Sequence, residues 1–130
     1  MLYISESKDG TEVINLTRGD DAVIDVPMEN ADGETYTIGE TEYLIFAVRK
    51  IPNKNSELLV QIESNRGSNQ IVFDHEDTKD IAVGEYSAEI QLMTVDGKRI
   101  TVWPTPIGKY ATSESINRKN FILMPEVVYE

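Results

Sequence analysis

The strongest constraint on how this chain folds is a stretch of alternating side chains between residues 85 and 105. Apolar side chains occupy every second position of its first half, at Tyr86, Ala88, Ile90 and Leu92. Successive side chains of a β-strand point to opposite faces, so we expect a strand with one buried face. Asp96-Gly97 then signals a tight turn, and the alternation resumes at Ile100, Val102 and Pro104. The segment is therefore predicted to be a hairpin at the centre of an antiparallel sandwich, with both apolar sets on the same buried face.

The rest of the chain repeats short β-type segments separated by turn residues. Val, Ile, Thr or aromatic residues are frequent in the segments 12–16, 22–28, 34–38, 42–51, 58–63, 70–74 and 121–129. We expect a turn at 30–33 and a hairpin loop at 64–69. About eight or nine strands at this spacing are typical of a sandwich or a barrel. The predicted fold is one all-β domain over residues 1–130, an immunoglobulin-like antiparallel β-sandwich.

Cysteine is absent from the 130 residues, which excludes several kinds of site. Disulfides, thiolate metal centres and cysteine nucleophiles are ruled out, and synthesis in a reducing compartment is the simpler interpretation. A chain of this length buries roughly two-thirds of its unfolded surface, which is enough for a domain without covalent cross-links.

The charge balance argues against nucleic acid and membrane partners. Lys and Arg number 12 and Asp and Glu number 23, which gives a net charge of -11. No basic cluster is longer than two residues, as in Arg118-Lys119, which is too short to bind a phosphate backbone or an anionic membrane surface. The chain begins without a signal-peptide pattern and contains no apolar run of about 18 residues. We therefore expect a soluble protein made in the cytoplasm.

Two segments fall outside the strand pattern. Residues 77–80 are predicted to form a single helical turn, with Asp74 or Asp77 capping its backbone N–H groups and Gly84 following it. Residues 107–120 are polar without a clear apolar period, and we expect an exposed loop there.

Gly84-Glu-Tyr86 precedes the alternating strand and resembles the tyrosine corner of immunoglobulin-like sandwiches. In that motif the phenol hydroxyl bonds to the backbone a few residues upstream, here predicted within 78–81. The alternative is that Tyr86 is a half-buried strand aromatic without that bond.

Two short matches to known motifs are better explained by structure. Arg18-Gly19-Asp20 is the tripeptide that integrins recognise, but a turn leading into a strand also needs a glycine at such a position. Asn15-Leu16-Thr17 fits the glycosylation pattern, yet it lies inside a predicted strand. Neither is predicted to be functional.

The acidic segment around His75 is the nearest thing to a metal site in the sequence. Four carboxylates lie within seven residues, at Asp74, Glu76, Asp77 and Asp80. Their spacing differs from that of an EF-hand loop, whose sixth position is glycine, because Lys79 stands there. We interpret the segment as a solvated turn whose acids act as caps. His75, the sole histidine, is not predicted to be a ligand or a base.

No catalytic, cofactor-binding or metal-binding residues are assigned. Carboxylate pairs of the kind used in glycoside hydrolysis are not marked by any sequence pattern, although 23 acids offer many pairs. An aromatic platform for sugar remains an alternative interpretation of the aromatic residues Trp103, Tyr3, Tyr36, Tyr43, Tyr110 and Tyr129. Trp103 lies opposite the apolar set of its strand, which is compatible with exposure or with packing on the second face.

The order of these pieces resembles small structural domains of phages and prophages of Gram-positive bacteria, similar to the N-terminal domain of baseplate upper proteins and related tail components. The resemblance rests on Thr17-Arg-Gly-Asp20, Tyr43-Leu-Ile-Phe-Ala-Val-Arg-Lys50, Glu76-Asp-Thr78, Gly84-Glu-Tyr86, Glu89-Ile-Gln-Leu92, Asp96-Gly97 and Phe121-Ile-Leu-Met-Pro-Glu-Val127. Residues 107–120 depart from that pattern by being longer and more polar.

The resemblance implies a non-enzymatic assembly module of a virion that works by protein–protein docking, without a cofactor. Its expected partners are other virion proteins or further copies of itself, with no nucleic acid and no membrane. The expected docking surface is an exposed strand edge or the 107–120 loop. The alternative function is a bacterial surface or carbohydrate-binding module.

Overall fold

The computed structural model describes residues 1–6, 12–30, 32–51, 55–104 and 119–126. These residues form β-strands and a single-turn 3-10 helix, His75–Asp77. The strands are β1 (Leu2–Glu6), β2 (Glu12–Thr17), β3 (Ala22–Asp25), β4 (Tyr43–Arg49), β5 (Leu58–Glu63), β6 (Gln70–Phe73), β7 (Gly84–Met93), β8 (Arg99–Trp103) and β9 (Phe121–Met124). Within the described ranges no helix is long and apolar enough to cross a membrane.

The strands form a large sheet and a small one. The large sheet has the order β1-β2-β9-β7-β4-β5, with β8 also pairing with β7, and the small sheet consists of β3 and β6. The pairs are antiparallel except for β2 and β9, which run parallel. The prediction of an all-β sandwich is confirmed.

The core lies between the two sheets and is organised by three phenylalanines. Phe73 of the small sheet meets Phe46 of β4 edge to face, with 5.2 Å between the ring centroids, and stacks on Phe121 of β9 at 6.4 Å. Aromatic pairs of this kind contribute about 0.5–1.5 kcal/mol beyond the area that they bury. These rings join the small sheet to the large one.

The first half of the predicted hairpin is confirmed and the second half is wrong in one respect. Tyr86, Ile90 and Leu92 are buried as predicted. On β8, however, Ile100 is 48% exposed whereas Trp103 is only 9% exposed. The pairing shifts between Ile90 and Gln91, since Gln91 is opposite Thr101 and Ile90 is opposite Trp103. This β-bulge inserts one residue into β8 and changes which face the following side chain occupies, so Trp103 joins the core.

The strands β8 and β9 lie end to end along one edge of β7. Trp103 is opposite Ile90, and Phe121 is opposite Tyr86, so residues 104–119 interrupt what would otherwise be one strand. The side chain of Asn120 fills the gap between the two pairings: Ala88 N–H donates to its Oδ1 at 2.6 Å, and its Nδ2 donates to the Ala88 carbonyl at 3.0 Å. The predicted 107–120 loop lies outside the described residues except for Lys119 and Asn120.

Two further strand predictions need correction. The segment 34–38 contributes only a single bridge, between Thr35 and Glu29, beside the confirmed turn at 30–33. The loop 64–69 does not close a hairpin, because β5 belongs to the large sheet and β6 to the small one. Leu44 N–H donates to the Ser64 hydroxyl, and Gly67 N–H donates to the Glu42 carbonyl, so the loop is held against β4 as it crosses between the sheets.

Candidate functional site

The small sheet presents an apolar pair to solvent. Val23 of β3 and Val72 of β6 are directly opposite each other, and they are 48% and 53% exposed. The residues on either side of each valine, such as Ile24 and Ile71, turn into the core. The solvated face of a sandwich sheet usually carries polar side chains, so the exposed valine pair makes this face the first candidate for a docking site.

Both edges of the small sheet are open among the described residues, since β3 pairs only with β6. Val26 and Asn69 continue the register of β3 and β6 by one residue, and the Val26 N–H donates to the Asn69 carbonyl at 2.9 Å, so these two residues form a hydrogen-bonded pair of the ladder. Hydrogen-bonded pairs alternate along an antiparallel ladder, so the backbone groups of Val23 and Asp25 point away from β6. By the same rule, those of Gln70 and Val72 point away from β3.

Acidic side chains surround the valine pair. Asp25 lies two residues after Val23 and accepts a hydrogen bond from Gln70 Nε2 at 2.8 Å. Asp21 lies two residues before Val23, next to Asp74 at the end of β6. No lysine or arginine among the described residues forms an ion pair with any of these three carboxylates.

The acidic turn after β6 is held together by its own side chains. Glu76 N–H donates to Asp74 Oδ1 at 3.1 Å, and Asp74 N–H donates to Asp77 Oδ2 at 2.7 Å, which makes a reciprocal cap. Lys79 Nζ lies 2.7 Å from Glu76 Oε2, and its hydrogen bond and charge lower the pKa of Glu76. Asp74 and Asp77 act as caps, as the sequence predicted, but the helical turn is His75–Asp77 and not the predicted 77–80, because Asp74 caps it one turn earlier.

His75 stands closer to carboxylates than its sequence neighbours alone suggest. Its Nδ1 lies 2.8 Å from Asp74 Oδ1 and 3.5 Å from Asp21 Oδ1, and its backbone N–H donates to the same Asp21 oxygen at 2.7 Å. All three residues are exposed. The fold brings Asp21 to this turn because β3 and β6 are neighbours, a contact that the sequence pattern did not reveal.

The Arg-Gly-Asp tripeptide is a turn whose arginine is bound within the chain. Gly19 has a φ of +82°, a backbone conformation that favours glycine, and its N–H donates to the Thr78 hydroxyl at 2.8 Å. Arg18 Nη2 lies 3.0 Å from Glu126 Oε1. Asn15 of the glycosylation pattern is buried, and its Nδ2 donates to the Ser5 hydroxyl at 3.0 Å. The structural interpretations of both motifs fit this geometry.

The tyrosine corner is present with a slightly different acceptor. The Tyr86 hydroxyl donates to the Ala82 carbonyl at 2.5 Å, one residue beyond the predicted 78–81. Together with the Gly19 bond to Thr78, it fixes the crossing from β6 to β7.

Glu42 is a buried carboxylate that the sequence did not reveal, with 5% of its surface exposed. It accepts hydrogen bonds from the Tyr36 hydroxyl at 2.6 Å, the Gly39 N–H at 2.8 Å and the Val95 N–H at 3.3 Å. The Tyr36 bond, with those from the backbone, lowers the pKa of Glu42, and the same bond raises the pKa of Tyr36. Glu42 thus joins the 36–42 segment to the turn between β7 and β8.

Among the residues that the structure describes, the aromatic side chains do not converge on an exposed platform. Trp103 belongs to the core cluster, Tyr36 is bonded to Glu42, and Tyr43 is covered by the Arg66 guanidinium, 3.6 Å from its ring centroid. Tyr3 lies apart on β1. The remaining candidates, Tyr110 and Tyr129, lie outside the described residues.

Buried polar side chains are the class that sequence reasoning missed. Glu42, Thr78 and Asn120 are all nearly inaccessible, and each binds the backbone of a segment distant in sequence. Their only sequence signal is a position next to a predicted strand or turn, which many exposed polar residues share.

Comparison with known proteins gives a family without an assigned activity. The model of the uncharacterised protein family UPF0128 matches residues 8–103. No curated protein and no solved structure matches the chain significantly.

Proposed function

The chain belongs to the uncharacterised protein family UPF0128, and we propose that it is a non-enzymatic assembly module of a phage or prophage particle that works by docking to other virion proteins. The virion assignment rests on the resemblance of the sequence to baseplate and tail domains. The docking mode rests on the architecture of the sandwich.

The observation that carries the docking proposal is the small sheet. It consists of β3 and β6 alone among the described residues, with both edges open and the exposed valine pair between them. Open edges offer unpaired backbone donors and acceptors, and such edges are common sites for addition of a strand from another chain.

The buried polar groups support a structural rather than a catalytic role. Glu42 and Asn120 form hydrogen bonds with backbone groups of neighbouring segments, and Glu42 also accepts one from the Tyr36 hydroxyl. A carboxylate that serves as a general acid or base needs a proton partner within reach of substrate. Glu42 instead faces Tyr36 and two backbone N–H groups that stabilise its charged form.

Purified particles provide the test. We expect quantitative mass spectrometry of density-banded particles from the encoding cell to detect this chain in a fixed ratio to known tail proteins. Deletion of the gene should reduce the yield of complete particles, and expression of the intact gene should restore it. If the chain is absent from banded particles and binds glycans on an array, the carbohydrate-binding alternative replaces this proposal.

A further inference from the structure

We propose that the open edge of β3 accepts an extended segment of a partner protein in which an apolar residue is flanked, two positions before and after, by lysine or arginine. The inference rests on the proposed docking function, and it specifies which edge docks and what chemistry the partner has.

Backbone geometry favours β3 over β6. The outward backbone groups of Val23 and Asp25 have no hydrogen-bond partner among the described residues. On β6, the outward Gln70 N–H is already bound to the Ser68 hydroxyl at 3.1 Å. An added strand therefore finds a consecutive set of donors and acceptors along β3, whereas the β6 edge lacks one of its donors.

Side-chain chemistry then defines the incoming strand. Val23 and Asp25 of β3 lie on its outer face, and Asp21, which immediately precedes the strand, continues the same alternation and is exposed. Residues of an added strand that lie opposite them are also two apart. An apolar side chain opposite Val23 extends the apolar pair that Val23 makes with Val72, and basic side chains on either side meet the two carboxylates. This is the origin of the basic, apolar, basic pattern at every second residue.

A second copy of this chain is a poorer occupant. If two β3 strands paired antiparallel with Val23 opposite Val23, Asp21 of each copy would lie opposite Asp25 of the other. Like charges directly opposite each other destabilise a strand pair. The net charge of -11 on each copy adds long-range repulsion.

The test uses the full chain as bait for a random linear peptide library displayed on ribosomes. We expect enriched peptides to share two basic residues four positions apart with an apolar residue midway between them. Their affinity should fall as the salt concentration rises, because the carboxylates are exposed. Enrichment no greater than on an unrelated acidic protein, or enriched peptides without the basic pair, would overturn the proposal.

Proline substitutions distinguish the two edges. Both Val23→Pro and Val72→Pro remove an N–H that points away from the β3–β6 ladder, and each keeps an apolar side chain. We expect Val23→Pro to weaken binding of the enriched peptides by about tenfold or more, and Val72→Pro to change it by less than about twofold. Circular dichroism and melting temperature verify that both variants fold. Equal loss in both variants, or loss in Val72→Pro alone, would refute the choice of β3.

A charge swap tests the recognition of the basic residues. Asp25→Lys should weaken the enriched peptides and should strengthen versions in which one basic residue is replaced by glutamate. Asp32→Lys makes the same charge change on an exposed turn outside the small sheet, so it controls for net charge. Equal effects of the two substitutions would show that only total charge matters.

The edge and the virion assignment can fail separately. If banded particles contain the chain and incorporate Val23→Pro as well as the natural sequence, the β3 edge is wrong while the assembly function stands. If particles lack the chain but the peptides still bind at β3, the docking chemistry stands and the virion assignment is wrong.

Discussion

At the scale of single residues, the interior of this sandwich depends on polar side chains that replace backbone partners. Asn120 is the clearest example, because its amide both donates to and accepts from Ala88 at the point where β7 has no strand on the side occupied by β8 and β9. Glu42 does the same for the Gly39 and Val95 N–H groups. A buried backbone group without a partner costs about 1–3 kcal/mol, so these side chains contribute substantially to a marginal total.

Replacing Asn120 tests the first of these roles. In Asn120→Asp the ionised carboxylate cannot donate to the Ala88 carbonyl, and burial penalises its charge. We expect a loss of about 2–3 kcal/mol in the free energy of unfolding at neutral pH, measured by urea denaturation. Asn65→Asp makes the same charge change on an exposed residue and should cost less than about 0.5 kcal/mol. Similar losses in both variants would contradict the role assigned to Asn120.

Glu42 makes stability depend on pH with a definite sign. The Tyr36 hydroxyl, followed by the Gly39 N–H, holds the pKa of Glu42 below its ordinary value of 4.5 in the folded chain. A depressed carboxyl pKa contributes stability that is present above the unfolded value and is lost as the pH falls through the folded one.

We therefore expect Glu42→Gln to flatten part of the acid-side loss of stability, measured by urea denaturation at a series of pH values from about 6 down to about 3. Glu40→Gln, on an exposed side chain two residues away, is the matched control and should follow the natural sequence. An unchanged pH profile in Glu42→Gln would show that the bonds to Tyr36 and Gly39 do not affect the ionisation.

At the scale of elements, burial on the hairpin of β7 and β8 depends on more than the alternation of side chains. Leu92 and Ile100 are opposite each other across β7 and β8, yet Leu92 is only 4% exposed, in contrast to Ile100. Alternation alone assigns both to the same buried face, and this assignment is correct only for β7.

Truncation of these partners should give unequal costs. We expect Leu92→Ala to lower the free energy of unfolding by about 2–5 kcal/mol, because it leaves a cavity between the sheets. Ile100→Ala removes a half-solvated side chain and should cost less than about 1 kcal/mol. Chemical denaturation followed by Trp103 fluorescence measures both, since this is the single tryptophan of the chain. Comparable losses would place Ile100 in the core after all.

The strand pattern could be predicted from the sequence where one face is buried and one is solvated. β5 has the predicted bounds, and β7 buries the predicted set. β1 was missed because it lies at the edge of the large sheet and has no clear apolar face, since the successive residues Tyr3 and Ile4 are 45% and 46% exposed. The bulge in β8 and the assignment of β5 and β6 to different sheets depend on contacts between distant residues. Local sequence carries no signal for such contacts. For the same reason, the contact between Asp21 and His75 and the burial of Glu42 could not be predicted.

At the scale of the whole molecule, the net charge and the open strand edges have opposite effects on self-association. A small sheet with unpaired edges invites pairing with any strand, including that of another copy. The net charge of -11 at neutral pH opposes contact between copies, and this opposition is strongest for the acidic β3 edge. Docking then requires a partner that supplies basic groups, which gives specificity as well as attraction.

Removing the charge should therefore expose the edges to self-association. We expect a monomer in sedimentation velocity runs at neutral pH and low salt, and dimers or larger species as the pH approaches the isoelectric point of about 4.5. Because the net charge of each copy falls to about zero there, the long-range repulsion between copies is lost, and pairing of open strand edges becomes favourable. Circular dichroism at each pH verifies that the chain stays folded.

Val23→Pro should reduce the association, since it removes an outward N–H from β3, whereas Val72→Pro should leave it largely unchanged. A mass that does not depend on pH, or an association that both variants retain, would show that the net charge does not prevent copies from pairing through the β3 edge.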